Sequence, residues 1–381
     1  RNTAYYHAQA AQRKRLNRIA NLRRADGSIC ANEDEDRAEV QSFYQSLYTS
    51  QGHNDMSELL QFVPTRVTEE MNYALDKPFE PEEVKTALFQ MASSKAPGVD
   101  GFTAGFFQRH WDLIKDDLVP AILGFVNGGD LPLGFNDTSI TLIPKVRHPQ
   151  SISEYRPISL CSVPYKIASK MITNRFKELM DIVVGEEQSA FVPGRLITDN
   201  ILVAFESIHS MRRRKKGRNF SCAVKLDMMK AYDRVEWHYL EAIMLKFGFS
   251  PSFVSLIMKC VSSVRFTVRV NGELLPYFTP SRGFRQGDPV SPFLFLICAE
   301  GLTSLLNHYG SPHIDKGIRV SFRAPWVNHL LFADDSLIFI SATVESAQRL
   351  NRILHIYGAC SGQAVNREKS AVFFSSNTPD D

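Results

Sequence analysis

Phe332-Ala333-Asp334-Asp335 is the stretch on which the reading of this chain turns. His329-Leu330-Leu331 precedes it, and Ser336-Leu337-Ile338-Phe339-Ile340 follows. Two adjacent carboxylates therefore interrupt an otherwise apolar run. Short runs rich in Leu, Ile and Phe read as strands entering a core, which leaves the acidic pair in the tight turn between them. Two carboxylates side by side in a poorly hydrated site cannot both stay ionised without a counter-cation. Oxygen donors of this kind suit Mg²⁺ or Mn²⁺. The stretch thus reads as a divalent-metal site at a hairpin tip. Its plainer reading is a polar turn, because Asp is a common turn residue. Successive strand residues point to opposite faces, so the two acids are not equivalent, and Asp334 is expected to be the stronger ligand.

A third acid lies far upstream. Cys222-Ala223-Val224-Lys225-Leu226-Asp227 reads as a buried strand ending in a carboxylate, and Met228 to Val235 turns into a helix. A strand that delivers an acid at its carboxyl end is a common site geometry in sheets. Carboxylates from different strands are how a two-metal phosphoryl-transfer site is assembled. That chemistry asks little of a protein beyond placement and charge.

Composition narrows the class. With 381 residues, 44% of them hydrophobic, the chain can bury a large core and is expected to form more than one lobe. A net charge of +3 excludes a polycation, so contact with an anionic polymer would rest on local clusters. One cluster is Arg13, Lys14, Arg15, Arg18, Arg23 and Arg24, and another is Arg212 to Arg218. The first suits a nucleic-acid backbone and equally a solvated helix face, while the second suits a nucleic-acid backbone or a nuclear import signal but reads more readily as a solvated turn. Six cysteines without CxxC spacing read as reduced thiols, not as disulfides or a zinc site. There is no signal peptide, and no apolar run reaches membrane-spanning length. The chain starts without Met and stops shortly after a strand-like segment, so it is expected to be part of something longer.

The remaining elements follow from periodicity and punctuation. Residues 1 to about 50 read as helix, break at Asp26-Gly27, and helix. Val84, Ala87, Leu88 and Met91 repeat as one buried helical face. An exposed loop, Ser93 to Gly101, carries Lys95, and a helix over 104–126 follows. Ser139 to Lys145 and Tyr155 to Leu160 read as a hairpin presenting Lys145 and Arg156 on one side, a pair suited to a triphosphate. Helices are expected over 163–181, 198–212, 237–247 and 251–262. Strands near 264–270 and 274–279 flank Asn271-Gly272, a hairpin turn signal. Gly283-Phe284-Arg285-Gln286-Gly287-Asp288-Pro289 leads into a helix from Ser291 to Leu306. A helix over 343–360 and a strand from Ser370 to Phe374 complete the reading.

In this order the segments resemble the reverse transcriptase of non-LTR (LINE-type) retrotransposons, most like the plant members. The resemblance covers nearly the whole chain. It rests on Lys95-Ala96-Pro97-Gly98-Val99-Asp100-Gly101, Leu142-Ile143-Pro144-Lys145, Tyr155-Arg156-Pro157-Ile158-Ser159-Leu160 and Gln188-Ser189-Ala190-Phe191. It continues with Asp227-Met228-Met229-Lys230-Ala231-Tyr232-Asp233, Arg285-Gln286-Gly287-Asp288-Pro289-Val290-Ser291-Pro292 and Phe332-Ala333-Asp334-Asp335. Several motifs in one order make chance a poor explanation.

The resemblance implies an α/β (α+β) right-hand polymerase fold with fingers and palm, the thumb largely missing. Residues 1–60 would be a basic N-terminal extension, 61–220 the fingers, and 221–381 the palm with some fingers elements interleaved. It implies RNA-directed DNA synthesis from deoxynucleoside triphosphates on an RNA template and a DNA primer, as part of target-primed retrotransposition. Two Mg²⁺ or Mn²⁺ ions would be held by Asp227, Asp334, Asp335 and the Met228 carbonyl. Tyr232 would pack under the incoming sugar, and Gln286 and Gly287 would line the template and nucleotide pocket. Lys145, Arg156 and Lys369 would meet the triphosphate. Lys95, Arg13, Arg15, Arg18 and Arg285 are the expected nucleic-acid contacts. An endonuclease would precede this region in the full-length protein, and the particle would work in nucleus and cytoplasm as a ribonucleoprotein, without a membrane. Rival readings are a group II intron-type maturase, a viral RNA polymerase and a non-catalytic nucleic-acid-binding fragment.

Overall fold

Runs of apolar and β-branched residues form the strands Asp137–Pro144 (β1), Tyr155–Cys161 (β2), Ser221–Leu226 (β3), Arg265–Val270 (β4), Glu273–Leu274 (β5), His329–Phe332 (β6), Asp335–Ser341 (β7) and Ala371–Phe374 (β8). The computed structural model describes residues 3–52, 54–217, 219–310 and 316–379. Among these the strands make two four-stranded sheets, ordered β2-β1-β4-β5 and β6-β7-β3-β8. The chain is thus a mixed helix-and-sheet protein.

In the first sheet β1 and β2 form the expected hairpin, with Ile143 opposite Arg156 and Pro144 opposite Tyr155. β4 joins β1 in parallel. Asn271 and Gly272 both take positive φ, 52° and 101°, and close the β4–β5 turn as expected. The Asn271 side chain also bonds the main chain of Ile19 in both directions at 2.9 Å. The strand expected to run to residue 279 is shorter. Pro276 has no N–H to give the ladder, and past it only Phe278 pairs back, with Phe266.

Residues 19–48 are built into the fold. Ile19, Leu22, Val40, Tyr44, Leu47 and Tyr48 form one core with Ile140, Leu142, Phe266 and Val268 of the first sheet. Some charges of this segment are paired: Arg24 with Glu35 at 2.7 Å, and Arg37 with Glu273 of β5 at 2.9 Å. The buried Asp36 carboxylate accepts the N–H groups of Asn21 and Leu22.

Most of the helical mass packs into the other large core. Helix Ser291–Tyr309 is largely apolar and buried along nearly its whole length. Helix Val163–Lys177 presents Tyr165, Ile167, Ile172 and Phe176 to the same core. It stops short of the expected 181, and a separate turn of helix spans Met180–Val183. The helix expected over 104–126 is two, Ala104–Arg109 and Trp111–Val126. His110 leaves helical geometry between them, where the Gln108 amide reaches back to the carbonyls of Leu88 and Met91. All six cysteines are buried free thiols. No helix among the described residues is long and apolar enough to cross a membrane.

A buried titratable side chain makes the second sheet sensitive to acid. His329 on β6 is fully buried, its ring nitrogens facing Asn328 Oδ1 at 2.8 Å and Thr303 Oγ1 at 3.4 Å. Burial holds its pKa down at about 4, against an ordinary 6.5. The unfolded chain therefore takes up a proton that the folded chain refuses. Stability present above pH 6.5 is lost as pH falls toward 4, by at most about 1.4 kcal/mol per pH unit from this group. His329→Gln is expected to flatten the stability–pH slope in urea melts across that window. An unchanged slope would mean the native imidazole already carries the proton.

Candidate active site

Asp227 follows β3 directly, one step beyond the Leu226–Ser336 pair of the β3–β7 ladder. Phe332 pairs with Asp335 across β6 and β7, so Ala333 and Asp334 form a two-residue turn. Ala333 takes φ 53°, unusual for a side chain with a Cβ. The three expected metal-binding acids thus meet at one end of three adjacent strands. Partial burial, and then the charges of Asp335 and Asp227, push the Asp334 carboxyl above its ordinary value. Among the described residues no group of three or more His, Cys, Asp or Glu side chains is gathered closely enough to hold a metal ion. The donor set is nonetheless hard oxygen with excess negative charge, which fits a hard divalent cation.

The main-chain oxygen of Asp227 accepts the Asn366 N–H at 2.8 Å, and its N–H donates to Ser370 Oγ at 3.2 Å. This fastens the loop carrying Lys369 beside the acids. Lys369 and Arg156 depress the Lys145 ammonium, after burial itself, while Asp233 and Asp227 oppose them. Lys145 therefore lies within electrostatic reach of Arg156 and Lys369, the other cations expected to meet a triphosphate, and of Asp227 and Asp233. Lys145 Nζ meanwhile donates to the Ser153 carbonyl at 3.0 Å.

Tyr232 lies in the short helix Ala231–Arg234 and stacks on Phe295, centroids 4.6 Å apart and planes 11° from parallel. Burial, and then the charge of Asp334, raise its phenol pKa. Gln286 bonds the main-chain N–H of Ser159 through its carbonyl at 2.9 Å. Gly287 has φ 126°, and a Cβ there would meet the Ser159 carbonyl at 2.9 Å, so a side chain is excluded twice over.

One buried acid escaped the sequence reading. Asp233 is 1% exposed and accepts Tyr48 Oη at 3.0 Å and Gln286 Nε2 at 3.1 Å. Its pKa is raised to about 6 by burial, which Lys230 opposes. Lys230, at φ 48°, lies 4.9 Å over the Phe43 ring. The pair sits at i and i+3 within a stretch already singled out. Nothing in spacing alone said that its partners would be Tyr48 and Gln286.

The nucleic-acid contacts fare unevenly. Arg285 is corrected: it is 3% exposed and ion-paired with Asp288 at 2.8 Å. It also donates to Cys260 O, Asn136 Oδ1 and Tyr165 Oη. A buried guanidinium needs such partners, and none of it is left to face a ligand. Arg18 is exposed and paired with Glu33. Arg13 and Arg15 lie on the solvent-facing helix Ala4–Leu16. Lys95 is exposed in its loop, which is pressed so closely on the chain at Cys161–Ser162 that a Cβ on Gly98 would meet Ser162 N at 2.6 Å. In the basic tract, Arg212 lies over the Phe373 ring and Arg214 bonds Ser221, while Arg218 is outside the described residues.

Comparison with known proteins agrees with this geometry. Residues 143–379 match the family model described as reverse transcriptase (RNA-dependent DNA polymerase). The transposon TX1 uncharacterized 149 kDa protein of Xenopus laevis is 30% identical over 375 residues, 97% of this chain and 28% of that protein. A Pol polyprotein from the type-1 retrotransposable element R2 of Popillia japonica is 26% identical over 77% of this chain and 39% of its own length. The probable RNA-directed DNA polymerase from transposon BS of Drosophila melanogaster is 25% identical over 72% of this chain and 30% of its own. The chain therefore spans roughly a quarter to two fifths of these relatives. Enzymes of the matching family use divalent metal ions. With that match over well more than half its length, the chain belongs to the reverse transcriptase (RNA-dependent DNA polymerase) family, among the non-LTR retrotransposon polyproteins.

Proposed function

We propose that this chain is the polymerase region of a retrotransposon protein that adds deoxynucleotides to a primer 3′-hydroxyl on an RNA template, in target-primed retrotransposition. The observation that carries the reading is the meeting of Asp227, Asp334 and Asp335 at one end of β3, β6 and β7, with Lys145 in electrostatic reach of Asp227, Arg156 and Lys369. The first sheet with its helices would be the fingers and the second sheet the palm. Asp227, Asp334, Asp335 and the Met228 carbonyl would hold two Mg²⁺, or Mn²⁺. Bound there, the ions would make the primer hydroxyl a better nucleophile and offset charge on the leaving pyrophosphate.

The chain's own groups do the rest. Lys145, Arg156 and Lys369 neutralise and orient the triphosphate. Tyr232 floors the sugar site, and Gln286 with Gly287 shapes the base side. Sharing of Asp233 between Tyr48 and Gln286 ties the pocket to the N-terminal layer. An endonuclease upstream and a nuclear and cytoplasmic ribonucleoprotein complete the proposal. The test is primer extension with Mg²⁺ on an RNA template. Absence of extension by well-folded protein that still binds the primer-template would refute it.

Arg13, Lys14 and Arg15 face solvent and would meet the duplex backbone. Replacing all three with Ala is expected to weaken binding of an RNA–DNA duplex alike for every sequence, because phosphate contacts carry no base information. It should also flatten the slope of log K against log salt by about 0.9 per lost contact. Titrations at several salt concentrations check this, and an identical slope would leave the arm as a solvated helix.

A further inference from the structure

The acids sit on a turn whose main chain is strained, and the structure shows what holds it. Gln188 is 1% exposed, and its side-chain oxygen accepts the Ala333 N–H at 2.9 Å and the Ala190 N–H at 3.0 Å. Its Nε2 lies 3.5 Å from the Ala333 carbonyl. One amide therefore faces both main-chain groups of the residue at φ 53° between β6 and the acids.

Gln188 is itself held from behind. Leu331 N–H donates to Glu187 O at 2.8 Å, and Ser189 N–H donates to Leu331 O at 3.2 Å, so the segment runs beside β6 like a short added strand. Asn200 Nδ2 bonds both Glu187 O and Leu331 O. Arg195 bonds Gln188 O at 2.9 Å and pairs with Asp181 at 2.8 Å. Phe191, three residues on, is strained as well, at φ 57°. Strain of this kind persists only where surrounding contacts over-determine it.

We propose that Gln188 is a positioning residue for catalysis, its amide clamping the Ala333 turn so that Asp334 and Asp335 stay directed at the metal-binding site. The inference rests on the assignment of those two acids as ligands. Chemistry accounts for the residue type. The oxygen must accept two N–H groups at once, which a carboxamide oxygen does with its two lone pairs. A neutral amide does so without placing another negative charge beside Asp334, already pushed up by its neighbours. Groups that orient metal ligands carry large effects, about 10- to 100-fold in affinity or activity.

The experiment compares wild type, Gln188→Met, Gln188→Glu and Asp334→Asn in the full chain. Gln188→Met keeps length and removes the acceptor. It is expected to speed hydrogen exchange at the Ala333 amide by on the order of tenfold or more. The Mn²⁺ concentration at half-saturation, read by water-proton relaxation, should rise by about tenfold, and kcat should fall by a like factor. Affinity for an RNA–DNA duplex should stay within about twofold, which a general loss of folding would not spare. Gln188→Glu keeps the acceptor and adds a negative charge near the acids, so the Ala333 amide should stay protected and Mn²⁺ should bind no more weakly than in wild type. If folded Gln188→Met retains wild-type exchange and Mn²⁺ binding, the clamp is refuted. If Gln188→Met does not fold, loss of Ala333 protection or Mn²⁺ binding in Gln188→Glu refutes it, and their retention supports it. Asp334→Asn separates the two failures: unchanged Mn²⁺ binding in that variant overturns the site itself, not the clamp.

Discussion

Asp227→Asn and Asp334→Asn are each expected to lower the rate of nucleotide addition by on the order of 10³-fold or more, with the protein still folded. The size follows from the task of these groups. Phosphoryl transfer leaves the protein little to do except place the reactants and offset charge, so a lost ligand removes much of the catalysis. The intact fold follows from location. Asp334 lies at a turn and Asp227 just past a strand end, so neither side chain supports the core. The Asp334 carboxyl is already raised by partial burial and by Asp335 and Asp227. Its charge is therefore disfavoured in the folded state. A group with a raised carboxyl pKa contributes stability at low pH that is lost as pH rises through the folded value. Removing the charge relieves that repulsion, and Asp334→Asn should melt at or slightly above the wild-type temperature at neutral pH. Single-turnover primer extension and a thermal melt on one preparation check both parts. Near wild-type extension by either variant would sink the catalytic assignment, and a collapsed melt would show that the acids serve the fold.

Much of this arrangement was legible in the residues, for physical reasons that differ from place to place. The β6–β7 hairpin could be read because polar residues interrupt an apolar run only where the chain turns. The β4–β5 turn could be read because Asn-Gly is the pair that best takes two positive φ values. The β1–β2 hairpin could be placed from two short apolar runs, and with it Lys145 and Arg156. Long-range pairing was less visible. That β4 lies parallel to β1, or that residues 19–48 lay a second core on the first sheet, depends on partners more than a hundred residues away. Local pattern does not encode such contacts. Arg18 and Arg24 read as part of a basic cluster because their partners, Glu33 and Glu35, also read as helix-capping acids. Arg285 misled for a related reason. A cation among motif residues suggests a ligand, and only the fold reveals Asp288, Tyr165 and Asn136 closing around it. Gln188 shows the reverse case, a residue noticed in the sequence whose work depends on a turn 145 positions away.

Tyr232→Ala is expected to raise ribonucleotide incorporation relative to deoxyribonucleotide by roughly 10- to 100-fold, the range that shape selection by one side chain supports. The ring is firmly held. Phe295 stacks on one face of it, and the main-chain carbonyl of Tyr232 accepts the Phe284 N–H at 2.7 Å. A ring fixed on both its own backbone and a core helix cannot swing aside for an extra hydroxyl. It sits within the electrostatic reach of Asp334, where the sugar of an incoming nucleotide must lie if the acids hold the metals. Exclusion by bulk needs the ring and not its hydroxyl. Tyr232→Phe should therefore keep the wild-type preference, while Ala opens the floor. The Ala variant also loses the stacking contact with Phe295 and should be less stable by roughly 2–4 kcal/mol, so discrimination must be read as a ratio of kcat/KM values on one preparation. Single-nucleotide insertion with matched ribo- and deoxyribonucleoside triphosphates supplies that ratio. An unchanged ratio in Tyr232→Ala would return the ring to core packing, and a ratio relaxed in Tyr232→Phe as well would move selectivity from bulk to the phenol hydroxyl.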